Sequence, residues 1–170
     1  MKKRINLIFV VEASKQSQSD YYYLRRLMSE VYYLDSFRPE VIFANGKGNL
    51  SKQDKIIERK IKDLPGESKV IIVADVDKYN NSAFLLNDGL TEYCEKKGYD
   101  LVWMNYTIED VFLGETVEYK VKKQKALRFI SQTKIIIDEN KLKKLVPKTE
   151  RHSSNIVYIL DRYLIRRKKS

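Results

Sequence analysis

Apolar residues recur along the first two thirds of the chain in two alternating rhythms. Ile5-Asn6-Leu7-Ile8-Phe9-Val10-Val11 is a near-continuous apolar run rich in β-branched side chains, the pattern of a strand buried on both faces of a parallel sheet. From about Gln18 to Leu34, the residues Tyr21, Leu24, Leu27, Met28, Val31 and Tyr32 recur at spacings of three and four. That spacing gives a helix one apolar face, and Ser17, Ser19 or Asp20 stands where a cap is needed. Pro39 breaks the chain ahead of a second short run, Val41-Ile42-Phe43-Ala44. Beyond the two-glycine loop Asn45-Gly46-Lys47-Gly48-Asn49, a helix is predicted over 51–62, with Ile56, Ile57 and Ile61 facing inward. Leu64-Pro65-Gly66-Glu67 stops it. Lys69 to Asp75 reads as the third strand, 82–97 as a helix closed by Gly98, and Leu101 to Met104 as the fourth strand. This alternation predicts an α/β fold, Rossmann-like, with about four mostly parallel strands flanked by helices.

After Asn105 the pattern turns mostly helical, with candidate helices over 108–113, 117–130, 139–145 and 155–165; Lys134 to Ile137 fits strand or helix. No repeat or linker divides the chain. The expected organisation is a single domain: an α/β body over 1–110, with a basic helical C-terminal part over 111–170 packed on it.

Charge sharpens this division. The 170 residues carry 33 Lys and Arg against 23 Asp and Glu, a net charge of +10. Residues 1–114 hold 17 basic and 17 acidic side chains, whereas 115–170 hold 16 basic and 6 acidic. The whole excess therefore sits in the last third, a layout that suits a polyanion partner, nucleic acid first among them. One cysteine, Cys94, excludes a disulfide framework, and one histidine, His152, excludes a His-rich metal site. Cys94 reads as a small buried hydrophobe and His152 as a loop residue. The run at 5–11 is too short to span a membrane, so no membrane partner and a cytoplasmic location are expected.

In parallel α/β sheets, ligands bind outside the carboxyl ends of the strands. The first strand ends in Glu12, the third in Asp75-Val76-Asp77, and Glu109-Asp110 follows the fourth. An acid at the end of a buried apolar run is costly unless it is paired or holds a metal. Glu12, Asp75 and Asp77, with Glu109 in support, are thus candidate ligands of Mg²⁺ or Mn²⁺, which prefer oxygen donors.

These residues resemble the TOPRIM family, the catalytic domain shared by topoisomerases, bacterial primases and OLD-type nucleases. The resemblance covers roughly residues 4–110. Within it, the chain is most similar to the RloB-like group of phage-defence proteins. Val10-Val11-Glu12-Ala13-Ser14-Lys15 followed by Asp20-Tyr21-Tyr22-Tyr23 is similar to that group's first motif, and Gly46-Lys47-Gly48-Asn49-Leu50-Ser51 to its Gly-x-Gly stretch. Asp75-Val76-Asp77-Lys78-Tyr79 is similar to its Asp-x-Asp motif; Ile108 to Phe112 and Ser153-Ser154-Asn155-Ile156-Val157 sit where that group carries further short motifs. Where many members have Gly after the Glu, this chain has Ala13, and it lacks the Gly that often follows Asp-x-Asp.

The resemblance implies metal-dependent phosphodiester chemistry on DNA or RNA, most economically hydrolysis, and a protein partner such as an ATPase. Asp75 and Asp77 would hold the ion, and Glu12 would be a further ligand or a general acid/base. Lys15, Lys47 and Lys78 sit near the predicted catalytic edge. Together with Lys122, Lys123, Arg128, Arg151, Arg162 and Arg166 they are candidates for phosphate contacts. Two other readings compete. One is a nucleic-acid-binding module without catalysis. The other is a receiver-like phosphotransfer domain, which wants adjacent acids after its first strand where this chain has only Glu12.

Overall fold

In the computed structural model, residues 5–34, 37, 39–78 and 80–168 are described, so Tyr79 of the Asp-x-Asp stretch and Lys169 of the basic tail lie outside them. Five strands form one sheet in the order β2-β1-β3-β4-β5. They are β1 (Ile5–Val11), β2 (Glu40–Phe43), β3 (Glu67–Asp75), β4 (Asp100–Asn105) and β5 (Ser153–Ser154). The first four pair in parallel, and β5 runs antiparallel to β4 with Met104 opposite Ser154. The fold is therefore α/β with a mostly parallel sheet. The sequence reading of about four strands missed β5, because two consecutive serines carry no periodicity to detect.

The side-chain alternation of β1 sorts the core into two faces. Leu7, Phe9 and Val11 join Ile71, Val73, Val102 and Met104 on one side. Ile8 and Val10 join Ile42, Val70, Ile72, Ala74 and Trp103 on the other. The second face is covered by α2 (Asp54–Asp63) and α3 (Asn81–Lys97), through Ile57, Leu90 and Cys94. Cys94 is buried and unpaired, as read. Only Ile57 of α2 is buried. Ile56 and Ile61, expected inward, are each 38 % exposed, because α2 turns a single apolar position, Ile57, onto the sheet.

The first face is covered by α1 (Ser19–Val31), α4 (Ile108–Leu113), α5 (Lys122–Ser131), α6 (Glu139–Leu142) and α7 (Ile156–Leu160). Tyr23, Leu24, Leu27 and Met28 of α1 meet Ala126, Phe129, Leu142, Ile156, Val157 and Leu160 in one cluster. The C-terminal third thus contributes to the same core as the α/β body. Its helices are shorter than predicted: α5, α6 and α7 replace the expected 117–130, 139–145 and 155–165, and 134–137 is neither strand nor helix. No helix among the described residues is long and apolar enough to cross a membrane.

Candidate functional site

The carboxyl ends of β1 and β3 lie side by side, since Val11 is in register with Val73. The next residue on the first strand is Glu12. Its Oε1 accepts the Asp75 backbone N–H at 2.7 Å, which ties the two acidic strand ends together. Asp75 Oδ1 in turn accepts the Ile108 N–H at 2.9 Å, which ties β3 to the first turn of α4. Asp20, in the first turn of α1, accepts the Ala13 N–H at 2.8 Å. It therefore belongs to this corner and does not cap its helix; the residue before the helix is Gln18, whose side chain makes no cap.

Glu109 completes the group from α4. It is fully buried, and Lys122 Nζ on α5 pairs with it, 3.2 Å from Oε2. Lys122 is the partner of Oε2, while Oε1 has no hydrogen-bond partner, a state that is uncommon for a buried polar atom.

Four carboxylates, Glu12, Asp20, Asp75 and Glu109, thus come together with one ammonium. Their electrostatics follow from burial and crowding. Burial pushes Glu12 up to about 8, with repulsion from Asp20 and Asp77 adding to it and the Asp75 N–H and Lys47 opposing it. Burial raises Asp20 to about 6, with Glu109 adding and Lys122 opposing. Asp75 is held well above its ordinary value by burial and by Glu12, Asp20 and Glu109. Burial alone would lower Lys122, but Glu109, Asp75 and Asp20 outweigh it and hold its ammonium above the usual range.

Asp77 points elsewhere. Its backbone is left-handed, with φ 66°, and Oδ2 lies 2.8 Å from Lys47 Nζ. Lys47 also donates to the Asp75 carbonyl at 2.5 Å. Asp110, adjacent to Glu109, faces away from the acidic group as well. It is fully buried and accepts from Arg151 Nη2 at 2.8 Å and Nε at 3.3 Å, and from the Thr107 and Thr116 hydroxyls. Arg151 lies over the Tyr106 ring at 4.7 Å, and His152 Nδ1 is 2.9 Å from the Asp110 carbonyl oxygen. The first turn of α4 therefore straddles two clusters, one acidic and one cation-holding.

Most of the cations read as phosphate contacts already have protein partners. Lys47 is engaged with Asp77, Lys122 with Glu109 and Arg151 with Asp110. Arg162 pairs with Asp100, and Arg166 with both Asp161 and Glu139. Lys123 donates to the Gln16 carbonyl but stays exposed. Lys15, Lys78 and Arg128 are exposed. Net charge does not reveal this division, because local partners decide which cations are spent.

Sequence reasoning missed Asp20 as a member of the acidic group. Its position in the Asp20-Tyr21-Tyr22-Tyr23 stretch was the available signal. Among the described residues, no three His, Cys, Asp or Glu side chains are gathered closely enough to hold a metal ion as they stand. Set against protein-family models, curated proteins and solved structures, the chain matches none.

Proposed function

We propose that the protein carries out divalent-metal-dependent phosphodiester chemistry on nucleic acid, as a TOPRIM-like nuclease. The observation that carries this reading is the acidic corner, half-buried at Glu12, Asp20 and Asp75 and fully buried at Glu109, whose four acids arrive from four separate elements. Burying acids that repel one another costs stability unless a cation is shared among them. The donor set is all oxygen, which suits Mg²⁺ or Mn²⁺. Glu109 Oε1 lacks a hydrogen bond, and Glu12 and Asp75 each spend one carboxylate oxygen on a backbone N–H, so donor oxygens remain.

Glu12, Asp75 and Glu109 would hold the ion, with Asp20 beside them. When bound, the ion would neutralise charge developing on phosphate oxygens and lower the pKa of a bound water. The protein's own groups do the rest. The backbone N–H groups of Asp75 and Ile108 fix the orientation of Glu12 and Asp75. Lys122, paired with Glu109, offsets part of the negative charge. Exposed Lys15, Lys78 and Arg128 offer backbone contacts.

The test is a cleavage screen of single- and double-stranded DNA and RNA with Mg²⁺ and Mn²⁺. Cleavage lost in Asp75→Asn and Glu12→Gln, with folding intact, is the expected result. A wild-type protein that cuts none of these substrates with either metal overturns the reading. A non-catalytic nucleic-acid-binding module is the second reading, favoured by the lack, among the described residues, of side chains converged for a metal. It predicts salt-sensitive binding that survives Asp75→Asn.

A further inference from the structure

The Asp75-Val76-Asp77 turn presents oxygens of the kind a hard cation seeks, yet a side chain of the chain itself already sits there. Lys47 Nζ is 2.5 Å from the Asp75 carbonyl, 3.4 Å from the Val76 carbonyl and 2.8 Å from Asp77 Oδ2. Its side chain is 9 % exposed, and the ammonium stands 5.9 Å from the centre of the Trp103 ring. Lysine is seldom this buried unless it is paired.

The backbone on both sides is shaped to make this contact. The Asn45 and Gly46 N–H groups donate to the Ala13 and Glu12 carbonyls, the latter at 2.8 Å, which stitches the lysine's loop to the loop carrying Glu12. Asn45 has φ 57° and Gly46 φ 117°, the second being a conformation that side-chain-bearing residues rarely adopt. Across the gap, Asp77 is itself left-handed, a conformation uncommon outside glycine, and is held by its N–H donating to the Tyr106 carbonyl at 2.9 Å. Two unusual backbone segments thus meet at one ion pair.

We propose that Lys47 is a built-in cation of the site: its ammonium fills the position that Asp77 and the Asp75 and Val76 carbonyls would otherwise offer to a metal. The chain then takes one divalent ion, on the side of Glu12, Asp75 and Glu109, and Asp77 is a positioning residue that holds Lys47. Displacing the ammonium would strand a buried charge, which is costly, so the lysine stays when the first ion binds. This inference rests on the metal-binding reading above.

The experiment is a count of bound Mn²⁺ per chain, by calorimetric titration and by loss of the free Mn²⁺ paramagnetic signal. Wild type is expected to take one ion. Lys47→Met, which keeps the stem and removes the charge, is expected to gain a second, weaker site. Asp77→Asn is expected to keep the count at one with affinity lowered by no more than about 10–100-fold, the size of an outer-shell effect, while Asp75→Asn abolishes binding. Two ions in wild type, or loss of binding in Asp77→Asn as complete as in Asp75→Asn, overturns the proposal. So does a folded Lys47→Met that still takes one ion. If Lys47→Met does not fold, the Asp77→Asn titration decides. Wild type that takes no Mn²⁺ overturns the metal reading itself and this proposal with it, and that outcome is distinct from a count of two.

Discussion

Asn155 offers the sharpest test of how the fold holds its carboxyl edge in place. Strand β5 pairs with the last two residues of β4 only. Below that point the Asn155 side chain continues the ladder. Its Oδ1 accepts the Trp103 N–H at 2.8 Å, and its Nδ2 donates to the Leu101 carbonyl at 2.9 Å. Asn155→Leu removes both bonds and leaves a buried donor and a partly buried acceptor without partners. Each such loss costs about 1–3 kcal/mol, and the added apolar contact returns a part, so about 2–4 kcal/mol is expected. For a chain of this size, 1 kcal/mol moves Tm by about 2–4 °C, so a drop on the order of 4–16 °C should appear in a thermal melt. Urea unfolding should show a lower midpoint with an unchanged slope. Asn155→Asp is the control. It keeps the acceptor but sets a second oxygen against the Leu101 carbonyl, so it should be close to wild type when protonated near pH 4 and clearly weakened near pH 8. An Asn155→Leu protein within about 0.5 kcal/mol of wild type, the range of an ordinary surface change, would refute the reasoning. A pH-independent Asn155→Asp would do the same.

Three further outcomes are expected. Mn²⁺ at about 100 times its dissociation constant should stabilise wild type by about 2.7 kcal/mol, and Glu109→Gln should reduce that gain at equal Mn²⁺; a thermal melt with and without metal reads it, and an unchanged gain argues against Glu109 as a ligand. Burial pushes Asp161 upward, but Arg166 and the Tyr32 hydroxyl outweigh it and hold its carboxyl below the ordinary value. Its contribution is therefore present above about pH 4 and lost as pH falls further. The stability difference between wild type and Asp161→Asn, measured by urea unfolding, should accordingly shrink between pH 7 and pH 3. Burial raises the Cys94 thiol to about 12, so a thiol reagent at pH 8 should label it only after unfolding, and fast labelling of native protein would contradict its place on the buried face of α3.

The elements that follow strong periodicity were legible in the sequence: β1, α1, β3, α3 and β4 fall within two or three residues of the pattern that predicts them. The juxtaposition of Glu12 and Asp75 was legible too, because two parallel strand ends must lie together once the strands are recognised. Asp20 was not, because its part in the corner depends on the loop 12–18 folding back so that Ala13 can donate to it. Nor was the turn of Asp77 toward Lys47, since a single left-handed residue decides where that carboxylate points. The C-terminal third was the least legible. Its helices of four, five and ten residues are too short to show a period, and they are held by packing on the sheet more than by local preference.

The division of the sheet's covering has a consequence for how the chain is made. Strands β1 to β4 are all synthesised before residue 106, but most of one face is roofed by α4 to α7, and the outer edge of β4 meets its partners only at 153–155. A nascent chain therefore carries Leu7, Phe9, Ile71, Val73 and Val102 with their roof incomplete while about fifty more residues are added, a state prone to wrong associations. Late completion makes the last helix a gatekeeper of yield: changes at Ile156, Val157 or Leu160 should lower the amount of soluble protein in cells more than they lower the stability of the molecules that do fold.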